Sequence, residues 1–598
     1  MQVGYTVAAS EPGSHLFDVT LRVDGVAAGS RELALPAWIP GSYMVRDYAR
    51  HVVSLKAQDD SGNTLPVHKT DKSTWVVDVA EAGGITVALR VYAWDLSVRG
   101  AHLDDTHAYF NGTSLFPRVA GHTGAMTLDI QAPAGLTEAA WVATSMRAAD
   151  VDARGFGRYE VDDYAELIDH PVEIAEQQCI EFEAAGLPHR FIVRGAPELD
   201  ATRFAADLEK ICAVQHQLLG TPADLDRYTF LAYALPGGYG GLEHRWSSSL
   251  VVDRDALPVP GVMSTGDGYR DLLGLISHEY FHLWNVRRLM PQVLSPPDLS
   301  GEVHTGLLWV FEGITSYYDD LMLVRSGAVD VSSYLGLVGR TLTRVLRTPG
   351  RLVQNLEDSS FDAWTKFYKQ DENAANAIIS YYAKGAIVAL ALDLKLRAES
   401  DTTLDDVMRE CWRRYYLEGE GMPERGLEPV AAELSGLDLT EFFDVAIRGT
   451  EDVDLSALLK PFGVTLNVRA SAGKDDKGGK SAEKLPKAWC GIGMDPRNKA
   501  RVARVLNGSP AAVAGVSAGD QLVAIDGTRC DSGRLETLMQ RHAPGDALRV
   551  TVFRGEQLRE FSVILAEPPA DTAWLARDEA ADAAVRQRFA DWLQPPAA

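Results

Sequence analysis

The chain has 598 residues, more than one hydrophobic core accommodates, so three or four domains are expected. Its 83 acidic and 58 basic residues leave a net charge of −25, which argues against nucleic acid or an anionic membrane as a partner. Hydrophobic residues at 46% and charged residues at 24% are those of an ordinary soluble globular protein.

The N-terminus, Met1-Gln2-Val3-Gly4-Tyr5, carries no basic segment followed by an apolar one, and no apolar run approaches a membrane span. Cys179, Cys212, Cys411, Cys490 and Cys530 are scattered and lack C-x-x-C spacing, so they read as reduced thiols. The expected location is the cytoplasm.

Residues 1–175 read as an antiparallel β-sandwich or saddle. Val19, Leu21 and Val23 alternate with polar residues, as do Ile85, Val87, Leu89 and Val91. Within this region, Trp38-Ile39-Pro40-Gly41-Ser42-Tyr43 is a dense aromatic segment around a Pro-Gly turn, read as core packing with a rim role as the alternative.

A catalytic α+β region is expected over 176–450. Residues 200–219 read as a helix with Phe204, Leu208, Ile211, Val214 and Leu218 on one face. A strand, Tyr228 to Leu235, runs into Gly237-Gly238-Tyr239-Gly240-Gly241-Leu242-Glu243-His244. These glycines let a backbone pass close to a ligand. A phosphate cradle is excluded, because no G-K-[ST] follows.

The centre of the chain is His278-Glu279-Tyr280-Phe281-His282. Histidines four apart on a helix share a face one turn apart, so both imidazoles can hold one Zn²⁺. Glu279 then lies close enough to take a proton from metal-bound water. A third ligand is expected downstream. Glu312, in Trp309-Val310-Phe311-Glu312-Gly313, ranks first, with His304 and Glu302 as rivals. Asp319, two turns beyond Glu312, suits a carboxylate that steadies a ligating histidine.

His-Glu-Tyr-Phe-His-Leu-Trp-Asn-Val-Arg-Arg followed by Trp-Val-Phe-Glu-Gly-Ile-Thr-Ser-Tyr-Tyr resembles the glycyl aminopeptidase family of PDZ-containing zinc metallopeptidases. That family is related to aminopeptidase N and has a thermolysin-like catalytic domain. The resemblance implies one zinc ion per chain held by His278, His282 and Glu312. Gly241-Leu242-Glu243-His244 resembles the G-x-M-E-N element, with Leu242 in place of methionine and His244 in place of asparagine. By that resemblance Glu243 binds the substrate's free amino group, with Gly241 and Leu242 beside it. Ser380-Tyr381-Tyr382-Ala383-Lys384-Gly385 resembles the Y-x-K-G element, which makes Tyr382 the donor to the oxyanion, with Tyr381 as its neighbour.

Residues 451–570 are expected to hold a PDZ domain, with a polar, mobile loop over 471–487. Gly491-Ile492-Gly493-Met494 resembles a carboxylate-binding loop, and a helix over 533–541 forms the other groove wall. An extended peptide, a protein C-terminus, would add to this sheet edge. Residues 571–598 read as a final amphipathic helix bearing Trp574, Phe589 and Trp592.

The reading is therefore a multidomain α+β zinc aminopeptidase, with peptides as substrates and a small first residue implied by the resemblance. A PDZ-guided endopeptidase is the alternative. Glu243 discriminates, because a carboxylate that takes the ammonium restricts cleavage to the first bond.

Overall fold

The computed structural model describes residues 1–133, 136–262, 266–481 and 484–595. It divides into two compact units, Met1–Val303 with Glu418–Gly421, and His304–Leu417 with Met422–Pro596. The region 176–450 contributes to both.

The first unit begins with an eight-stranded sheet. The alternating segments seen in the sequence are neighbours in it, and their apolar faces coincide. Val19 stands opposite Leu89, Leu21 opposite Val87 and Val23 opposite Ile85, all buried. A one-residue slip would turn this whole set to solvent, so the pattern fixes the register.

A five-stranded sheet follows. Leu187–Arg194, Tyr228–Leu235 and Ser247–Asp253 run parallel, and Tyr239–Glu243 closes the edge antiparallel to Ser247–Asp253. The helices Ala201–Leu219 and Asp267–Phe281 accompany it. Asp200 caps the first of these by accepting from Arg203 N at 3.1 Å. The second buries Leu273, Ile276 and Phe281 completely. Full burial of such side chains contributes about 1.5–3 kcal/mol each. The helix ends at Phe281, well before Pro291.

The second unit is helical and then β-rich. Ile314–Arg325 and Tyr381–Glu399 are its central helices. The segment Ala374–Glu399 has a mean hydropathy of 1.5 in its most apolar window, enough by length and composition to cross a membrane, contrary to the sequence reading. That window is 83% buried, so its apolarity serves packing.

The PDZ sheet is built from Gln521–Ile525, Thr528–Arg529, Ala547–Arg554 and Gln557–Ile564, with the helix Ser532–Arg541 and the pair Ile492–Met494 and Val502–Val505. Two expectations are corrected here. Residues 571–577, read as the start of a final helix, belong to the strand Ala570–Arg577, paired with Val464–Ala470. Thr572, Ala573 and Trp574 are backbone partners in that ladder, and the helix itself is Ala583–Leu593. The loop expected to be mobile is partly anchored: Asp476 accepts from Arg469 Nη1 and Nη2 at 2.5 and 2.9 Å and from Ala472 N at 2.7 Å. Its residues 482–483, and 596–598 of the expected final helix, lie outside the described residues.

Candidate active site

In the first unit, the H-E-x-x-H helix and the glycine-rich strand meet. The rings of His278 and His282 stand perpendicular at 4.6 Å. His282 Nδ1 lies 2.7 Å from Asn285 O, so it donates there and Nε2 carries the lone pair that suits a metal. His282, Glu279 and Glu243 bring donor atoms within 4.8 Å of one another, all buried. Two buried carboxylates this close are favoured by nearby positive charge, of which Arg287 is one source for Glu243. A divalent metal and a substrate ammonium also supply that charge, so the donor set fits both.

The strand Tyr239–Glu243 explains its own glycine. A β-carbon on Gly241 would stand 2.0 Å from Glu279 Oε1. Strand alternation sends Gly241 and Glu243 toward Glu279 and Leu242 the other way. The Leu242 side chain is fully buried with Ile39, Tyr48 and Val98, so Leu242 offers a ligand only its backbone. Arg99 Nη2 donates to Gly241 O at 2.8 Å and holds the strand from outside.

The aromatic segment of the N-terminal region reaches the same place. Gly41 has φ +92°, and a β-carbon there would lie 2.6 Å from Glu243 Oε1. Beyond Glu243 sits a buried polar knot. Asp169 accepts from Arg287 Nη2 at 2.7 Å and Arg245 N at 2.9 Å, and pairs with His244 Nδ1 at 3.1 Å. Burial pushes the Asp169 carboxyl up, but Arg287 and His244 outweigh it and hold the group well below the usual range. Burial pulls Arg287 down, and Asp169 and then Glu243 more than restore it. Arg99, Asp169 and Arg287 escaped the sequence reading, since each acts through a fold contact and no local motif marks them.

In the second unit, Glu312 is buried in a single π-turn, Trp309–Gly313, a wide turn common at functional sites. Gly313 and Gly385 face each other where two helical segments cross. A β-carbon on Gly313 would lie 2.6 Å from Gly385 Cα, and one on Gly385 would lie 2.8 Å from Gly313 Cα. This backbone contact brings Tyr382 under the influence of Glu312. Burial of its hydroxyl, then Glu312 and Tyr368, push the Tyr382 phenol well above its ordinary range, so it remains a neutral donor. The Tyr382 and Tyr368 hydroxyls are 2.9 Å apart, and Tyr381 donates to Tyr368 at 3.0 Å. Tyr381 is fully buried while Tyr382 keeps part of its surface, which separates the two.

Asp319 is on the helix Ile314–Arg325, its Oδ1 accepting from Asp320 N at 2.5 Å. His304 engages Phe361 O through Nδ1 at 2.7 Å and stacks on the Phe361 ring. Glu302 is exposed. In the PDZ module, Gly491 has φ +80°, and a β-carbon there would meet Ser509 Cβ at 2.1 Å. Ile492, Gly493 and Met494 form the short strand that follows, each partly exposed.

Three family models match the chain: the Peptidase M61 N-terminal domain over residues 4–176, M61 glycyl aminopeptidase over 271–388, and a PDZ domain over 481–565. No functionally curated protein matches. Among solved structures, an aminopeptidase N family protein from Idiomarina loihiensis is 36% identical over 99% of this chain and 100% of its own, with a TM-score of 0.94. An M1 zinc metallopeptidase from Deinococcus radiodurans matches at 14% identity over 76% of this chain and 95% of its own, TM-score 0.47. Yeast LTA4 hydrolase in complex with bestatin matches at 13% over 77% of this chain and 70% of its own, TM-score 0.46. The chain belongs to the M61 glycyl aminopeptidase family and is a peptide hydrolase.

Proposed function

We propose that the protein is a zinc aminopeptidase that removes a small first residue, glycine or alanine, from peptides. The observation that carries this reading is the pairing of Glu243 with Glu279 beside His282. One carboxylate suffices for hydrolysis. A second one, buried next to it, suits a fixed positive charge on the substrate, and a free amino terminus has that charge.

His278, His282 and Glu312 are the proposed ligands of one zinc ion, with Asp319 the carboxylate that steadies a ligating histidine. Bound there, the ion polarises the scissile carbonyl and makes a neighbouring water acidic. Glu279 takes the proton of the attacking water and returns it to the leaving amine. Tyr382 donates its O–H to the oxygen on which negative charge develops, a contribution of about 3 kcal/mol for a well-placed donor. Glu243 accepts from the substrate ammonium, and Arg99 keeps the Gly241 strand in position. The backbone at Gly41 closes on the Glu243 carboxylate, which supports a pocket for small first residues. Gly491–Met494 is the proposed seat of a peptide C-terminus in the PDZ module.

The test compares glycyl, leucyl and N-acetylglycyl anilides, with metal analysis on the same sample. Turnover of the glycyl anilide alone supports the reading. Equal turnover of the N-acetylated compound would favour an endopeptidase instead.

A further inference from the structure

The first unit holds a second group of ligating side chains, away from the residues assigned to peptide hydrolysis. The strands Ala101–Leu103, His107–Phe110 and Val172–Ala175 lie side by side, and their register sets His102, Tyr109 and Glu173 in one cross-strand row. His107, two residues before Tyr109, shares that face. Opposite stand Leu231, Tyr233 and Ser249, and a cavity of about 30 Å³ lies between. That is room for one ion or a water or two. Ser249 pairs with Leu242, and Glu243 pairs with Ser248 on the other face. The cavity is therefore on the side of the sheet turned away from Glu243.

His102, Asp104 and His107 bring one donor atom each within 4.8 Å of one another. His102 Nε2 is 3.1 Å from Asp104 Oδ2, and His107 Nδ1 is 3.5 Å from Asp104 Oδ1. Those separations put the three side chains within reach of one ion. Asp104 is set in place by its turn, with Oδ1 accepting from Thr106 N at 2.7 Å, Thr106 Oγ1 at 2.6 Å and His107 N at 2.9 Å.

A separate observation points to a ligand. Glu173 is 7% exposed, lines the same cavity, and its Oε1 has no hydrogen-bond partner. His102 Nδ1 and His107 Nδ1 have none either. Buried polar atoms normally have a partner, so the Glu173 carboxylate on this cavity wants one.

We propose that the cluster beside this cavity is a second metal site, which takes a divalent ion of the zinc type through His102, Asp104 and His107, with Glu173 on the adjoining cavity wall. The two imidazoles lie stacked, 4.7 Å between centroids and 23° between planes. Binding therefore turns one ring about its Cβ–Cγ bond into the adjoining space. The ion pins the 101–110 hairpin, and its role is structural.

The inference stands apart from the proposed catalytic zinc, and the experiment separates them. Full-length protein is equilibrated with excess Zn²⁺, gel-filtered and analysed for metal. Two zinc per chain are expected in the wild type, and one in the His278→Ala/His282→Ala variant. Adding His107→Ala or Asp104→Asn to that variant should remove the remaining ion. It should also remove the visible d–d absorption that Co²⁺ gives in the same protein. In the otherwise native chain, His107→Ala should keep glycyl-anilide turnover within twofold, which checks folding. One zinc in the wild type, or none in the His278→Ala/His282→Ala variant, overturns the site. Loss of no metal from that variant overturns the catalytic ligand assignment and leaves this site standing.

Discussion

Glu279 Oε1 occupies the place that a side chain on residue 241 would need: a Gly241 β-carbon would stand 2.0 Å from it. The base and the strand are thus fitted to each other. Gly241→Ala should displace the Glu279 carboxylate, lowering kcat by at least tenfold while the protein still folds and binds metal. Glu279→Gln should keep metal content and lower kcat by about 10²–10⁴-fold, the span of a general base. Metal analysis beside steady-state kinetics checks both, and a Glu279→Gln enzyme with wild-type kcat would refute the mechanism.

Glu243 is tested by the substrate's charge. Glu243→Gln should lower kcat/KM for free glycyl substrates by about 1.5–3 kcal/mol, ten- to 150-fold, the loss of a charge-assisted hydrogen bond. N-acetylglycyl substrates should be poor with wild type and no poorer with the variant. An equal loss on both would remove Glu243 from the amine site.

Tyr382 and Glu312 share the helix crossing at Gly313 and Gly385. Tyr382→Phe should reduce kcat by roughly 10²–10³-fold with little change in KM, as expected of a donor used in the transition state. Glu312→Ala should lose bound metal. If it holds zinc as tightly as wild type, His304 or Glu302 becomes the candidate ligand. Gly385→Ala forces the two backbones apart and should lower kcat without touching a catalytic group.

Acid should loosen the knot behind Glu243. Asp169 is held below its ordinary value, against burial, by Arg287 and His244, so its stabilisation is present above an unfolded pKa of about 3.9 and is lost as pH falls through the folded value. Burial keeps His244 below its usual value against Asp169, so the unfolded chain takes up a proton below about pH 6.5 that the folded chain refuses. Both act in one direction: stability falls from pH 6.5 downward and more steeply below about pH 4. Asp169→Asn should cost about 3–5 kcal/mol near pH 7, since it leaves Arg287 buried beside a neutral partner. Its deficit against wild type should begin to shrink below about pH 4 and close only as the pH falls through the depressed folded value. Parallel curves over this range would dissociate Asp169 from the acid response.

Much of this was legible in the sequence because it is local. H-E-x-x-H is one helix turn, and the alternation of Val19, Leu21 and Val23 is one strand. Glu243 and Tyr382 were legible through resemblance, since neither a lone glutamate after glycines nor a helix tyrosine announces a role. Gly41 against Glu243 and Asp169 with Arg287 were not legible, because residues about 200 and 118 positions apart meet only through the fold. The strand Ala570–Arg577 was misread for a related reason. Trp574 and the later Phe589 and Trp592 suggest one apolar face, but the ladder to Val464–Ala470 is a long-range pairing that local periodicity does not reveal.

That ladder has a consequence for how the chain is assembled. Ala470 and Ala570 are register partners, so the chain departs for the PDZ module and returns to almost the same point. Everything from 471 to 569 is an excursion from a two-stranded ribbon. In such a layout the host strands pair with each other, and Asp476 and Gly479 of the excursion bond back onto them at Arg469 and Ala573. A short turn in its place would complete an ordinary hairpin. The order of the helices is thus undisturbed by the module, whose two ends leave and rejoin the ribbon at neighbouring residues.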